Sequence, residues 1–351
     1  MFLKIGFDGG YGNTKVVTST GKKLEIPSVV GGGFRRQYAD VFGHAGRISP
    51  DNLHVRLDGR DYFVGSLALK ESRTSSSAFN ANKINHPNTR VITAAATALL
   101  MDQEKENMII VASLPFVEFK KQKNELKDYL SSFEAEVTLF DGEREIKREV
   151  RFRHAAVFPQ GAAAVNYIMD QYSEYADMEN TVLAVVDIGM KTLDVVVIEI
   201  GEQIRIIESM SFGFHTGVSL IHDHLYRAVQ EKTDISLNLP ELDVILKQEG
   251  KWYRHDFTEA VEIGKRELMR MIDAEINERW GEKERERISK VFLVGGGGEL
   301  LYDEFRNSNE LRFIRDDIEL PLEPRFANAY GCLKVAENIE EIILSQNVNC
   351  I

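Results

Sequence analysis

The residues of this chain best suited to chemistry are two aspartates, each set at the entrance of a glycine turn. Asp8-Gly9-Gly10-Tyr11-Gly12-Asn13-Thr14-Lys15 follows the apolar run Phe2 to Phe7. Asp187-Ile188-Gly189-Met190-Lys191-Thr192-Leu193-Asp194 follows Val182 to Val186. Each reads as a strand, a tight turn and a second strand. Consecutive backbone N–H groups in such a turn form an anion-binding nest. Glycine belongs there because a side chain blocks close approach or the positive φ that the turn needs. A carboxylate at each entrance suits a hydrated Mg²⁺, which keeps several of its waters. Two phosphate-sized turns of this kind predict two similar lobes that grip one nucleotide. A third run, Gly295-Gly296-Gly297-Gly298, follows the apolar segment Val291 to Val294. Neither G-x-x-x-x-G-K-[ST] nor G-x-G-x-x-G occurs, so the Walker and dinucleotide fingerprints are absent.

The elements that must position these turns are legible from periodicity. The first lobe opens with a strand over Phe2–Asp8 and a hairpin through Lys15–Ser19 and Lys23–Pro27. Residues 31–88 shift to glycine, serine, arginine and asparagine, which predicts a small loop-rich insertion with a short strand at Asp61–Gly65. A helix over Val91–Met101, a buried strand over Met108–Ser113 and an amphipathic helix over Phe116–Phe133 come next, then two or three strands between Glu136 and Val157. Pro159 opens a helix over Gln160–Tyr172, where its missing N–H costs little. The second lobe begins with a meander over Val182–Asp187, Thr192–Ile200 and Gln203–Ser211. It continues with a helix over Gly217–Gln230 and a polar connector containing Leu239-Pro240. A long helix over Thr258–Trp280 follows, with Asp256 and Glu259 as a capping box. The charge run Glu282–Arg287 reads as a solvated loop or helix end. A strand over Val291–Val294, a helix over Leu300–Arg306 and a last helix over Phe326–Ile343, packed back on the first lobe, complete the chain.

Composition bounds the function. At 351 residues the chain can bury two cores, and 43% hydrophobic with 28% charged residues is ordinary for a soluble globular protein. A net charge of −12 repels a phosphate backbone, which argues against direct nucleic-acid binding. No apolar run approaches the roughly 18–20 residues that span a membrane, and no signal-peptide cleavage pattern follows the N-terminal strand. Cys332 and Cys350 alone make no disulfide framework and fit a reducing cytoplasm. Cys332 reads as inert core. His215, His222 and His224 lie close in sequence, but on a helix His222 and His224 project about 200° apart and cannot share one ion.

Taken in order, the motifs form a specific series. Strand-flanked DxG leads to Pro159-Gln160-Gly161, then DxGxxTxD, then the helical residues Glu262, Lys265 and Arg266, then strand, four glycines and helix. The series resembles the actin-like ATPase superfamily over nearly the whole chain. Gly12-Asn13-Thr14-Lys15 and Phe326-Ala327-Asn328-Ala329-Tyr330-Gly331 bring it nearest to ParM-type plasmid segregation proteins and archaeal actin-like proteins. The resemblance implies a two-lobed α/β fold, a duplicated ribonuclease-H-like architecture with nucleotide in the cleft between lobes. Residues 1–158 with 326–351 form its first domain, with a small insertion at about 28–88, and residues 159–325 form its second.

Roles are implied residue by residue. Asp8 and Asp187 serve Mg²⁺ through water, and Gln160 orients the attacking water. Gln cannot remove a proton, so hydrolysis is expected to be slow. The first turn contacts phosphate through Gly10, Tyr11, Gly12, Asn13 and Lys15, and the second through Gly189, Met190, Lys191 and Thr192. Gly217, Glu262, Lys265 and Arg266 meet ribose and base beside Gly295, Gly296, Gly297 and Gly298. Tyr11 stands where Ser or Thr is common, and Met190 and Lys191 replace small residues. The implied function is a cytoplasmic, Mg²⁺-dependent ATPase (or GTPase) that forms head-to-tail filaments and moves plasmid DNA through a DNA-binding adaptor. A small-molecule kinase or a chaperone-type nucleotide switch is the alternative on the same fold. A kinase needs a catalytic aspartate base, for which no counterpart stands out, and the chain shows no peptide-binding domain.

Overall fold

The computed structural model describes residues 2–36, 47–77, 84, 86–172 and 181–348, so Cys350 and parts of the 28–88 insertion lie outside the described residues. The chain divides into two compact units. Unit 1 comprises residues 1–114, 118–167 and 328–351, and unit 2 comprises residues 115–117 and 168–327.

Unit 1 is built on β1 (Leu3–Gly9), β2 (Asn13–Thr18) and β3 (Lys23–Pro27), an antiparallel meander. The insertion is more regular than its composition predicts. It holds β4 (Val29–Gly32), β5 (Leu53–Leu57), β6 (Arg60–Val64), α1 (Ser66–Glu71) and β7 (Ser75–Ser77). Leu53, Val55, Leu57, Phe63 and Val64 are buried, and their burial outweighs the glycine and serine content around them. Next come α2 (Pro87–Leu100), β8 (Met108–Leu114), α3 (Phe116–Ser131), β9 (Glu134–Asp141) and the 16-residue β10 (Arg144–Pro159). β10 pairs antiparallel with β9 through its first half and parallel with β8 through its second, with a register shift between Phe152 and His154. The sheet runs β3-β2-β1-β8-β10-β9-β5-β6-β4-β7. Parallel β1, β8 and β10 therefore end side by side, which is where open α/β sheets hold ligands. α4 (Ala162–Gln171) follows. Pro159 is the last residue of β10 rather than the opening of this helix, so Gln160 sits in the turn between them.

Unit 2 repeats that plan. β11 (Thr181–Ile188) and β12 (Leu193–Ile200) form a hairpin. The expected third meander strand is broken into β13 (Arg205–Ile206) and β14 (Phe212–Phe214), both pairing with β12. α5 (Ser219–Thr233) is followed by α6 (Leu239–Lys247), a helix where a polar connector was expected. Asn238 and Glu241 form its capping box. The hairpin β15 (Lys251–Trp252) and β16 (His255–Asp256) leads to α7 (Thr258–Arg279). Phe257, not Asp256, is the N-cap of α7, and Asp256 accepts from the Thr258 N–H instead. α8 (Glu282–Arg287), β17 (Ile288–Val294), α9 (Gly296–Leu300), α10 (Tyr302–Asn307) and β18 (Ile318–Glu319) complete the unit. The order β13-β12-β11-β17-β18, with β11, β17 and β18 parallel, matches β3-β2-β1-β8-β10 of unit 1. Val182 to Val186, Val195 to Ile198 and Val291 to Val294 are buried on both faces, as central strands covered by helices require. The last helix, α11 (Ala327–Val348), rejoins unit 1, where Tyr330 stacks on Tyr167 of α4 at 4.9 Å. Among the described residues no helix is long and apolar enough to cross a membrane.

His54 of β5 gives unit 1 a pH dependence. Its ring stacks on Phe140 at 4.2 Å and meets Phe63 edge-on. Burial lowers its pKa from 6.5 to about 4, more than the nearby Asp61 raises it. An imidazole held neutral in this way adds stability that is present above about 6.5 and is lost as pH falls through about 4. Thermal melting between pH 7 and pH 4 should show a loss on the order of 1–3 kcal/mol from this group. His54→Phe should flatten that part of the profile, and an unchanged slope would clear His54 of the effect.

Candidate functional site

In unit 1 the chemistry gathers at the carboxyl ends of β1, β8 and β10. Asp8 is buried at 3% exposure beside Ser113, one residue past the last β1–β8 pair, Phe7 with Ala112. The Ser113 hydroxyl donates to Asp8 Oδ1 at 2.6 Å, and the Gln160 side-chain N–H donates to the same oxygen at 2.7 Å. Lys15 Nζ stands 3.5 Å from Oδ2. A carboxylate offers only acceptors, which orients the Gln160 amide with its NH₂ toward Asp8. The Gln160 carbonyl is therefore the end available to a water. Main-chain bonds hold the turn in place. Gln160 N–H donates to Leu114 O at 2.7 Å, and Gly161, at φ 73°, donates to Asn328 Oδ1 at 3.0 Å.

The glycine turn itself is gripped from behind. Ser28, fully buried, donates its N–H to Gly12 O at 2.9 Å and its hydroxyl to Gly10 O at 2.7 Å. With those carbonyls drawn to one side, the Gly12 N–H meets no acceptor among the described residues, as an anion nest requires. Tyr11 does not offer its hydroxyl to a phosphate. It donates to Glu118 Oε1 of α3 at 2.7 Å, and burial together with this carboxylate pushes the phenol well above its usual range.

Unit 2 arranges its turn in the same way. Val218 and Ser219 donate their N–H groups to Gly189 O at 3.0 Å and Met190 O at 2.8 Å. Gly189 N–H closes on Thr192 O at 2.9 Å, and the Met190 N–H meets no acceptor among the described residues. A Cβ on Gly217 would stand 2.3 Å from Gly189 O, so only glycine lets the start of α5 press against the turn. Asp187, 6% exposed, ends β11 in register with Asp194 of β12 and Val294 of β17. The run of four glycines passes directly from β17 into a helix. Gly295, at φ 77°, caps a short helix, and a Cβ there would lie 2.6 Å from Asp187 Oδ1. Gly295 thus leaves the aspartate its room. At Gly296 an added Cβ would stand 4.0 Å from Arg325 Cζ, so among the described residues outside its own helix the space there is nearly open.

On α7, Lys265 bridges Glu304 of α10 at 3.0 Å and Glu262 at 3.5 Å, while Arg266 is exposed. Burial lowers the Lys265 pKa, but the two carboxylates outweigh it and hold the ammonium above its ordinary range. Glu304 Oε2 is buried without a partner among the described residues, an acceptor open to a hydroxyl donor. Elsewhere, His222 meets Asp243 at 3.0 Å and His224 meets Glu267 at 2.6 Å, so the two rings serve different carboxylates. Cys332 is buried, and burial with nearby Asp8 pushes its thiol far up, leaving it unreactive.

The donor set suits a hydrated cation. Asp8 already accepts from Ser113 and Gln160 and faces Lys15, which leaves it a role through water rather than as a direct ligand. Among the described residues no group of three or more His, Cys, Asp or Glu is placed to hold a metal ion. Ser28, Ser113, Glu118, Asn328, Glu304 and Arg325 were not singled out as site residues from the sequence. Within its own unit, each reaches its partner through strand order or helix packing, which a local motif does not encode.

Comparison with known proteins places the chain. Residues 6–162 match the actin like proteins N terminal domain, and residues 185–307 match the archaeal actin homologue MreB-like C-terminal domain. An archaeal actin homolog of Thermoplasma volcanium is 24% identical over 357 residues, covering 95% of this chain and 98% of that protein. The subunit of a 15-stranded ParM filament from Clostridium botulinum aligns with a TM-score of 0.84 at 26% identity, covering 96% of this chain and 99% of that one. An archaeal actin homolog crystallised in complex with ADP aligns with a TM-score of 0.75 at 20% identity, covering 96% of this chain and all of that one. With actin-like matches in both halves of a duplicated, two-lobed α/β fold, the chain belongs to the actin-like ATPase superfamily.

Proposed function

We propose that this protein binds and slowly hydrolyses a nucleoside triphosphate, ATP or GTP, with Mg²⁺, and that nucleotide state switches its assembly into head-to-tail filaments. The observation that carries this reading is the pair of matched turns. In each, neighbouring donors take the carbonyls from behind and leave main-chain N–H groups for an anion, beside a buried aspartate at a strand end. The ADP complex of an archaeal actin homolog and the ParM filament of Clostridium botulinum support it. Mg²⁺ supplies charge neutralisation on the phosphates. Asp8 and Asp187 would hold its waters, Lys15 would face phosphate oxygens, and the Gln160 carbonyl would accept a hydrogen bond from the attacking water. Gln160 orients that water without taking its proton, which keeps turnover slow.

Contacts that repeat head to tail without closing give helical filaments. An acidic chain is suited to reach DNA cargo through a basic adaptor rather than directly, so DNA segregation, of a plasmid or similar replicon, is the proposed role. The test is sedimentation with ATP, GTP, ADP or no nucleotide, with Mg²⁺ present and phosphate release followed in parallel. Pelleting with triphosphate and disassembly after slow hydrolysis is expected. A protein that stays monomeric in every state and phosphorylates a small metabolite would be a kinase instead.

A further inference from the structure

The β15–β16 hairpin of unit 2 carries a feature that neither nucleotide binding nor folding requires. Its register pairs Trp252 with His255, which leaves Tyr253 and Arg254 as a two-residue loop. Tyr253 adopts φ 50°, in the left-handed half of backbone space that favours glycine, while Arg254 is not among the residues with positive φ. A bulky side chain rarely takes that conformation. Tyr253 is also 93% exposed, more than any other large hydrophobic side chain among the described residues. The turn is strained for a tyrosine, and beyond an edge contact with Trp252 at 5.3 Å its ring gains almost nothing from burial.

The base beneath it is rigid. Lys251 pairs with Asp256, and Phe257 N–H donates to Gly250 O at 2.8 Å. Thr258 returns a side-chain bond to Glu249 O at 3.0 Å. Trp252 and His255 pack on Phe257, which is 3% exposed. A fixed aromatic tip beside an arginine has the make-up of an interface anchor, since rigid aromatics and arginine dominate binding hot spots and lose little entropy on contact.

We propose that Tyr253 and Arg254 form an assembly contact that docks on a second copy of this chain. This rests on the filament reading above. The occupant follows from charge. Asp256 neutralises Lys251 at the hairpin base, whereas Arg254 is exposed and has no ion pair among the described residues. The chain as a whole carries −12, so a second copy offers the acidic surface that this cation complements.

The test uses the full chain with ATP and Mg²⁺, reading critical concentration by sedimentation. Tyr253→Gly removes the ring and relieves the turn, so its melting temperature should equal or exceed wild type. Its critical concentration should rise about tenfold, the loss expected for a hot-spot side chain. Arg254→Glu should raise it as well, with nucleotide binding unchanged in both variants. Variants that assemble at the wild-type critical concentration overturn this contact and leave the filament reading intact. Wild-type protein that never assembles overturns both.

Discussion

Asp187→Ala should lose Mg²⁺-dependent hydrolysis, by at least about 10²-fold, while melting no lower than wild type. Asp187 lies directly opposite Asp194 in the β11–β12 ladder, and like charges so placed destabilise a sheet. Removing one carboxylate relieves that pair. Asp194 is poorly placed to take over the lost role, because its Oδ2 is engaged by the Phe116 N–H at 3.0 Å and its Oδ1 lies against Gly213 of β14. Nor does a neighbour move in readily: Gly295, with no side chain, is what borders Asp187 Oδ1. The expected result is therefore activity lost with the fold kept, as at sites where function is maintained against stability. The measurement is phosphate release at saturating ATP beside a thermal melt. Wild-type turnover in the variant would remove Asp187 from the Mg²⁺ role. A large drop in melting temperature would make it a structural residue.

Much of this arrangement is written in local sequence. Each aspartate follows a run of apolar residues, and a strand buried on both faces ends where the run ends, so Asp8 and Asp187 could be set at strand ends without a structure. The glycines that follow mark the turns directly. Other parts are carried by contacts distant in sequence. Ser113 meets Asp8 across 105 residues because β1 and β8 are parallel neighbours, and Asn328 meets Gly161 across 167 because α11 returns to unit 1. A single serine or asparagine has no local pattern to announce such a role. α6 was hidden by Pro240, which reads as a break in sequence yet lies in the first turn of the helix, where its missing N–H is tolerated. The insertion strands β4 to β7 are three to five residues long, and the glycine and serine of β4 and β7 read as loop, which masked the apolar β5 and β6 between them. Glycine is a poor helix former, so the composition of Gly295–Gly298 does not mark a helical turn. Here the close packing of Gly297 against Ile188 and of Gly298 against Leu293 favours small residues in a helical turn.

Gln160→Ala should separate hydrolysis from binding. The side-chain NH₂ donates to Asp8 at 2.7 Å and to Ser113 at 3.3 Å, and on the proposed reading its carbonyl is the group that would meet the attacking water. Truncation removes that acceptor, and the loss on the order of 1–3 kcal/mol expected for a positioning hydrogen bond predicts phosphate release slower by roughly 10–10²-fold. Binding should survive because the turn does not depend on the side chain. Its main chain is held by Leu114 and, through Gly161, by Asn328. Asp8 also keeps its Ser113 and Lys15 partners, so the first turn retains its anchor. Nucleotide affinity measured by titration should therefore match wild type while single-turnover hydrolysis falls. Asn328→Ala provides the complementary arm. It leaves Gln160 intact but frees the Gly161 N–H, so the glutamine loses its fixed aim and hydrolysis should fall with affinity again preserved. If Gln160→Ala instead abolished nucleotide binding, the residue would be a support for the Asp8 cluster, and the water-orienting role would have to be given up.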